Sequence, residues 1–234
     1  MILTSRLKQP RVFIWSIYSG LIFVLLTFVG MYFYVGGNSA NPEAPTYSFF
    51  YNFFSEIGLT VAYGQPNTIA AVLFFIAMMG SGVSLILFFI AFTQFFTETT
   101  PVRIFSLIGT AFGILSGISF IGVGFTPADL LLDPHVWFVF RAFQFFPLAV
   151  ICYIIAIFLS KTMPRSFGYV FVIFAVCLIA YLYLLTYGPS GQTDEGLLIQ
   201  VTGQKLVAYA SIISVLIQGW QAYKLADERE LVAA

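Results

Sequence analysis

Sixty per cent of the 234 residues are hydrophobic and 9% are charged, against about a quarter charged in an ordinary soluble domain, which excludes a water-soluble globular fold. The ten basic and ten acidic residues cancel, so no global field favours nucleic acid. Cys152 and Cys177 both fall inside apolar runs, which excludes a disulfide framework and a CxxC metal or redox motif.

A hydrocarbon core of about 30 Å is crossed by about 20 apolar residues at 1.5 Å rise, and six such runs occur along the chain. The first, 12–35, is longer than a signal-peptide core and no convincing A-x-A cleavage site follows, so it reads as a retained helix. The connection 36–66 is the longest. It opens flexibly with Gly36, Gly37 and Asn38, then turns aromatic at Tyr47, Phe49, Phe50, Tyr51, Phe53 and Phe54. That pattern suits either a short helix lying at headgroup depth or an aromatic cover over the bundle.

The remaining runs are 68–93, 101–123, 134–159, 167–187 and 197–223. Helix-entry residues precede several of them: Asn67, then Thr100 with Pro101, Asp133 with Pro134, and Thr193 with Asp194 and Glu195. No repeat of 20 to 50 residues recurs. The expectation is an all-α integral membrane protein, one domain over 1–234, built as a six-transmembrane-helix bundle with a long outer loop between helices one and two.

Basic residues fix the expected orientation, since cytoplasmic loops are enriched in Lys and Arg. Arg6, Lys8, Arg11, Arg103, Lys161, Arg165, Lys224 and Arg229 fall on one side. Glu43, Glu56, Asp129, Asp133, Asp194 and Glu195 fall on the other. Both termini are therefore expected inside, in a plasma (inner) membrane. Trp15, Tyr18, Trp220 and Tyr223 mark the inner boundary, and Tyr32, Tyr34, Trp137, Tyr183 and Tyr187 the outer one.

Helix three carries a stripe of Gly109, Gly113 and Gly117, and small residues let helix backbones approach where lipid gives no hydrophobic reason to associate. Gly80, Ser81, Gly82 and Ser84 make helix two thin and a candidate partner. Packing within the chain is the expected use, and a homodimer seam the other.

Two cations lie within spans. Arg141 stands 20 residues before Lys161, about 30 Å along a helix, and Lys205 stands 19 before Lys224, about 28 Å, so both sit near the outer boundary. Gln144, Gln200, Gln204, Glu56, Asp129 and His135, the single histidine, lie on the same side. Pro147 frees the carbonyl of Phe143 and Gly203 loosens helix six nearby. An outward-facing polar site of Ser55, Glu56, Asn67, Asp129, His135, Arg141, Gln144, Gln204 and Lys205 is the candidate binding site. The competing reading has Arg141 and Lys205 snorkelling to headgroups or pairing as structural clips.

Catalysis finds little support. One histidine and two mid-span cysteines cannot supply a usual zinc set. A Ser55–His135–Asp129 or Asp133 arrangement lacks a nucleophile elbow. No phosphate loop, dinucleotide motif or paired haem histidines occur. No cofactor is expected.

The runs Asn52-Phe-Phe-Ser55-Glu56-Ile-Gly58-Leu-Thr60 and Gln65-Pro66-Asn67, then Gly122-Val-Gly124-Phe-Thr-Pro127-Ala-Asp129 and Asp133-Pro-His135, resemble the Frag/DRAM/Sfk-type group of six-helix membrane proteins, much of it known only as a domain of unknown function. Glu56 stands where that group carries aspartate. The resemblance implies that Ser55, Glu56, Asn67, Pro127 and His135 cluster on the outer side. Relatives linked to autophagy, lipid-anchor remodelling and lipid-kinase recruitment imply a connection with lipids.

The resulting expectation is a non-catalytic membrane protein that binds a lipid or small amphiphile, or serves as an accessory subunit, through the outer polar cluster. Its partners would be membrane lipids and a membrane protein or further copies of itself. A small-solute secondary transporter and a membrane-embedded lipid hydrolase or transferase are the alternatives.

Overall fold

The computed structural model describes residues 10–233, with side chains through Arg229; Arg6 and Lys8 lie outside the described residues. Among these are six helices long and apolar enough to cross a membrane. They are α1 (Arg11–Phe33), α2 (Thr68–Phe92), α3 (Thr100–Phe125), α4 (Leu132–Leu159), α5 (Arg165–Tyr187) and α6 (Asp194–Ala233), one on each apolar run.

Local chemistry sets the boundaries. Pro101 sits in the first turn of α3, where a missing N–H leaves no bond unmade. Thr193 Oγ1 accepts the Gly196 N–H at 3.1 Å and caps α6. Helix α1 ends at Phe33, before the expected residue 35, because Tyr34 is extended and Gly36 and Gly37 take φ of 106° and 82°. Those angles suit glycine alone. Helix α6 runs 40 residues, about 60 Å, instead of stopping at 223. Its extra turns stay docked, with Ala226 buried, Arg229 donating to the Thr162 carbonyl at 3.4 Å and its guanidinium 5.1 Å from the Phe95 ring centre.

Each helix packs on its sequence neighbours and α6 returns to α1, so the six form a closed ring. A ring of six rods leaves an axial gap about one helix wide, roughly 10 Å, which side chains must fill. At the end carrying Arg11, Arg103 and Lys161, the basic end, aromatic rings fill it. Phe13, Phe88, Phe92, Tyr153, Phe167 and Phe171 belong to one buried cluster with members from all six helices. Phe92 lies 5.1 Å from Tyr153 and 5.2 Å from Phe88, centre to centre. Each such pair contributes about 0.5–1.5 kcal/mol beyond area burial. Thr93, Thr110 and Tyr153 bond one another and the Phe89 carbonyl within this cluster, which satisfies their hydroxyls.

The glycine stripe faces inward along α3. A Cβ on Gly109 would stand 2.8 Å from the Tyr153 ring, one on Gly113 2.2 Å from Phe89, and one on Gly117 2.8 Å from the Gly82 carbonyl of α2. Gly82 answers Gly117, so these two backbones touch. Gly80 instead faces α1 across open space, its nearest neighbour being Ser19 Oγ at 4.0 Å.

Segment 34–67 closes the opposite end, here termed the loop end. A 3-10 turn, Phe54–Gly58, drops Phe54 and Ile57 into the ring, where they are buried with Phe74, Met78 and Val123. Gly30 leaves room for Ile57, since a Cβ there would be 2.7 Å from it. Strands β1 (Val61–Ala62) and β2 (Gln65–Pro66) then pair antiparallel across Tyr63 and Gly64, both at positive φ. Matching the right-handed twist of two strands with a two-residue turn demands that geometry. The hairpin was not anticipated from sequence.

Candidate functional site

Among the described residues Lys205 is the best-buried charge, 2% exposed. Its ammonium donates to the Asn52 carbonyl and lies 5.1 Å from the centre of Phe49, 5.4 Å from Tyr47 and 5.5 Å from Phe54. Three ring faces and one carbonyl solvate it in place of water. It does not snorkel. Asn52, fully buried, is the hub: its Oδ1 accepts the Ser48 N–H at 2.8 Å, and its Nδ2 donates to the Gly37 carbonyl at 2.7 Å and to Glu56 Oε2 at 3.1 Å.

Glu56 also accepts the Phe53 N–H at 2.7 Å and the Tyr63 hydroxyl at 3.3 Å. Burial pushes its carboxyl above the usual range, while the Phe53 N–H, the Asn52 amide, the Tyr63 hydroxyl and the Lys205 charge pull it back. Gln204, next to Lys205 on α6, accepts the Phe54 N–H at 2.7 Å. Thus Glu56, Gln204 and Lys205 come together on the loop stretch 52–56, and each makes a hydrogen bond to it.

The other candidate residues sit in separate groups. Asn67 donates to the Ile57 and Leu59 carbonyls at 3.1 and 2.8 Å, holding the end of the 3-10 turn instead of capping α2. Asp129 accepts the Thr60 and Val61 N–H groups, at 3.1 and 3.0 Å, and the Thr60 hydroxyl, which fastens the hairpin to the α3–α4 connection. Partial burial raises its carboxyl, but the bonds from Thr60 and Val61 outweigh this and leave it below the usual range. His135 Nδ1 lies 2.6 Å from the Thr126 carbonyl, so Nδ1 carries the proton in that bond. Arg141 donates to Gln144 at 2.9 Å and stacks 5.3 Å from Trp137, a ring 52% exposed on the bundle's outer surface. Ser55 is half-buried in the 3-10 turn. Arg141 and Lys205 share no partner.

Between the aromatic packing and the loop plug remains a cavity of about 120 Å³ on the bundle axis. Phe23 of α1, Phe120 of α3, Phe143 and Phe146 of α4 and Ala208 of α6 help to wall it. Five serines also line it: Ser16 and Ser19 of α1, Ser81 and Ser84 of α2, and Ser211 of α6. Ser16 and Ser211 return their hydroxyls to the Phe13 and Val207 carbonyls, each at 2.7 Å. Ser19, Ser81 and Ser84 make no hydrogen bond among the described residues. Among the described residues no charged side chain lines the cavity. Phe23 lies 6.1 Å from Phe54 of the plug, which places the cavity directly beneath the Lys205 cluster.

A groove of about 600 Å³ runs along the outer surface between α1 and α2, past the exposed Trp15, Tyr18, Ile76 and Val83. Ser19, Phe23 and Ser84 line both spaces, so they form the partition between the axis and the lipid-facing surface. Small residues explain the gap: Ser19, Gly80 and Ser84 meet there, and α1 is the least buried of the six helices. The serine pairs at i, i+3 on α1 and α2 were the available sequence signal. The α2 pair reads from sequence as a thin packing surface, which does not point to a cavity, and the α1 pair enters no sequence expectation. Among the described residues no three His, Cys, Asp or Glu side chains converge on a metal position.

Comparison with protein-family models, with curated proteins and with solved structures finds no match for this chain.

Proposed function

We propose that the chain is a non-catalytic protein of the plasma (inner) membrane, with both termini inside, that binds a lipid or small amphiphile by taking its apolar part sideways between α1 and α2 into the axial cavity. The carrying observation is the partition of Ser19, Phe23 and Ser84 shared by the cavity and the lipid-facing groove. Under this reading the polar cluster of Glu56, Asn52, Gln204 and Lys205 holds the plug that closes the cavity above. A through-path for a solute lacks support, because buried aromatic rings fill the axis below. The lipid connection implied by the Frag/DRAM/Sfk-type resemblance points the same way.

Gly80→Leu tests the reading. The glycine has open space around it, so leucine fills the groove without clash and gains up to about 1 kcal/mol of helix propensity. Native mass spectrometry of the wild-type chain released from membranes is expected to show a retained amphiphile. The variant should lose most of it while unfolding at the same temperature or higher. Equal retention in both proteins, or none in the wild type, contradicts the reading.

A further inference from the structure

Resting on that reading, the groove between α1 and α2 also fixes the leaflet its occupant comes from and the headgroup it carries. The part of α1 that lines the groove runs from Val12 to Phe23, eleven residues (23 minus 12) or about 16 Å. Half of a hydrocarbon core of about 30 Å is nearly the same length, so the groove is one leaflet deep and an acyl chain laid along it ends at Phe23. There the axial cavity begins. Its volume of about 120 Å³ is below the roughly 150 Å³ that holds one benzene, and its wall surface is almost wholly apolar. It takes the end of a hydrocarbon chain, and a charged group would lose its hydration there uncompensated.

The far end of the groove lies at the basic end of the bundle, where Arg11 stands. On a helix of 3.6 residues per turn Arg11, Trp15, Tyr18 and Ile22 form one stripe, and the last three of them line the groove. Phe13, Ser16 and Ile17, on the opposite face of α1, meet α6 at Gly219. Arg11 therefore belongs to the groove side. It is exposed and has no ion-pair or hydrogen-bond partner among the described residues.

Positive charge accumulates at this point without an answer. Pro10 precedes α1 and offers no side-chain acceptor to the first N–H groups, and the first turn carries no acidic residue. A helix N-terminus bears about half a positive charge and favours an anion, whereas Arg11 adds to that charge. A lipid phosphate beside Arg11 and the first turn of α1 offsets both, and a headgroup without a cation of its own does so better than a zwitterionic one. Trp15 and Tyr18, 67% and 54% exposed, stand one and two turns further in, where amphipathic rings border headgroups.

We infer that the occupant is an anionic phospholipid of the leaflet at the basic end, its phosphate on Arg11 and one acyl chain laid along the α1–α2 groove to the partition at Phe23.

The test offers the full, delipidated chain in detergent equal amounts of dioleoylphosphatidylglycerol and dioleoylphosphatidylcholine, which share their acyl chains, and reads bound fractions by native mass spectrometry. Wild-type protein is expected to favour phosphatidylglycerol by about fivefold, the factor one basic side chain near an anionic headgroup supplies. In Arg11→Gln the preference should fall below about twofold, with phosphatidylcholine binding unchanged. The unfolding temperature of that variant should be the same or higher, since a cation leaves the positive end of a helix. Lys161→Gln removes an equal charge from the α4–α5 connection, across the ring from the groove, and should keep the preference. Gly80→Leu should lose both lipids. Equal binding of the two lipids to wild type, or a preference that survives Arg11→Gln or falls as far in Lys161→Gln, overturns the headgroup inference while leaving an amphiphile site that Gly80→Leu still closes. Binding of neither lipid, or undiminished binding of both in Gly80→Leu, overturns the amphiphile reading as well. So does a dimer of the chain that dissociates in Gly80→Leu, which would give the groove to a second copy.

Discussion

Lys205→Met is expected to destabilise the protein by about 3–5 kcal/mol, the range for removing one partner of a buried charge arrangement. Methionine is unbranched and only one atom shorter, so most of the side-chain volume beside Tyr47, Phe49 and Phe54 is kept while the charge is lost. The Asn52 carbonyl then loses its ammonium donor, and Glu56 keeps a buried carboxylate without the cation that offsets it. Tryptophan-fluorescence unfolding in detergent measures the loss. The double variant with Glu56→Gln should be less damaged than the two single losses added together, since it removes both charges.

The pH dependence carries a definite sign. Burial raises the Glu56 carboxyl in the folded protein, so the folded state holds this proton to higher pH than the unfolded chain. Stability from the group is therefore full below the unfolded value and lost as pH rises through the folded one. Removing the Lys205 charge raises the folded value further. The deficit of Lys205→Met should accordingly shrink as pH is lowered from about 8 to about 5. A deficit independent of pH would mean that Glu56 and Lys205 are not coupled.

Gly82→Val is the second large effect, expected to cost about 3 kcal/mol, the upper end of overpacking penalties. A Cβ at this position stands 2.6 Å from the Gly117 carbonyl, and backbone cannot rotate aside as a side chain would, so α2 and α3 must separate. Gly80→Leu, two residues earlier on the same helix, meets open space and supplies the control. Unfolding temperatures of the two variants should differ sharply, although composition alone would rank leucine as the bulkier insult.

Much of the fold was readable because membrane spans obey a length rule, and each apolar run became a helix. Cap chemistry was read with mixed success. Pro101 and Thr193 act at helix starts, whereas the Asn67 amide turns to the Ile57 and Leu59 carbonyls, a choice settled by a loop folding back over the bundle. Spacing along a helix gives a residue's depth and says nothing about its angle around a ring. Arg141 and Lys205 therefore looked alike by spacing from Lys161 and Lys224, yet one stacks on an exposed tryptophan and the other lies beneath the plug. Asn52 was invisible as a hub because its partners, Gly37, Ser48, Glu56 and Lys205, span 168 positions from first to last (205 minus 37). The cavity was equally hidden: its serines lie on three helices, and only ring closure brings α1 beside α6.

Photo-crosslinking with a lipid carrying a diazirine at the end of its acyl chain, followed by peptide mapping, tests sideways entry most directly. Adducts are expected on Phe23, Ser81, Ser84 and Ala208, and to be lost in Gly80→Leu. Adducts confined to outward-facing positions such as Ile173 and Val176 of α5, 68% and 64% exposed, would contradict it.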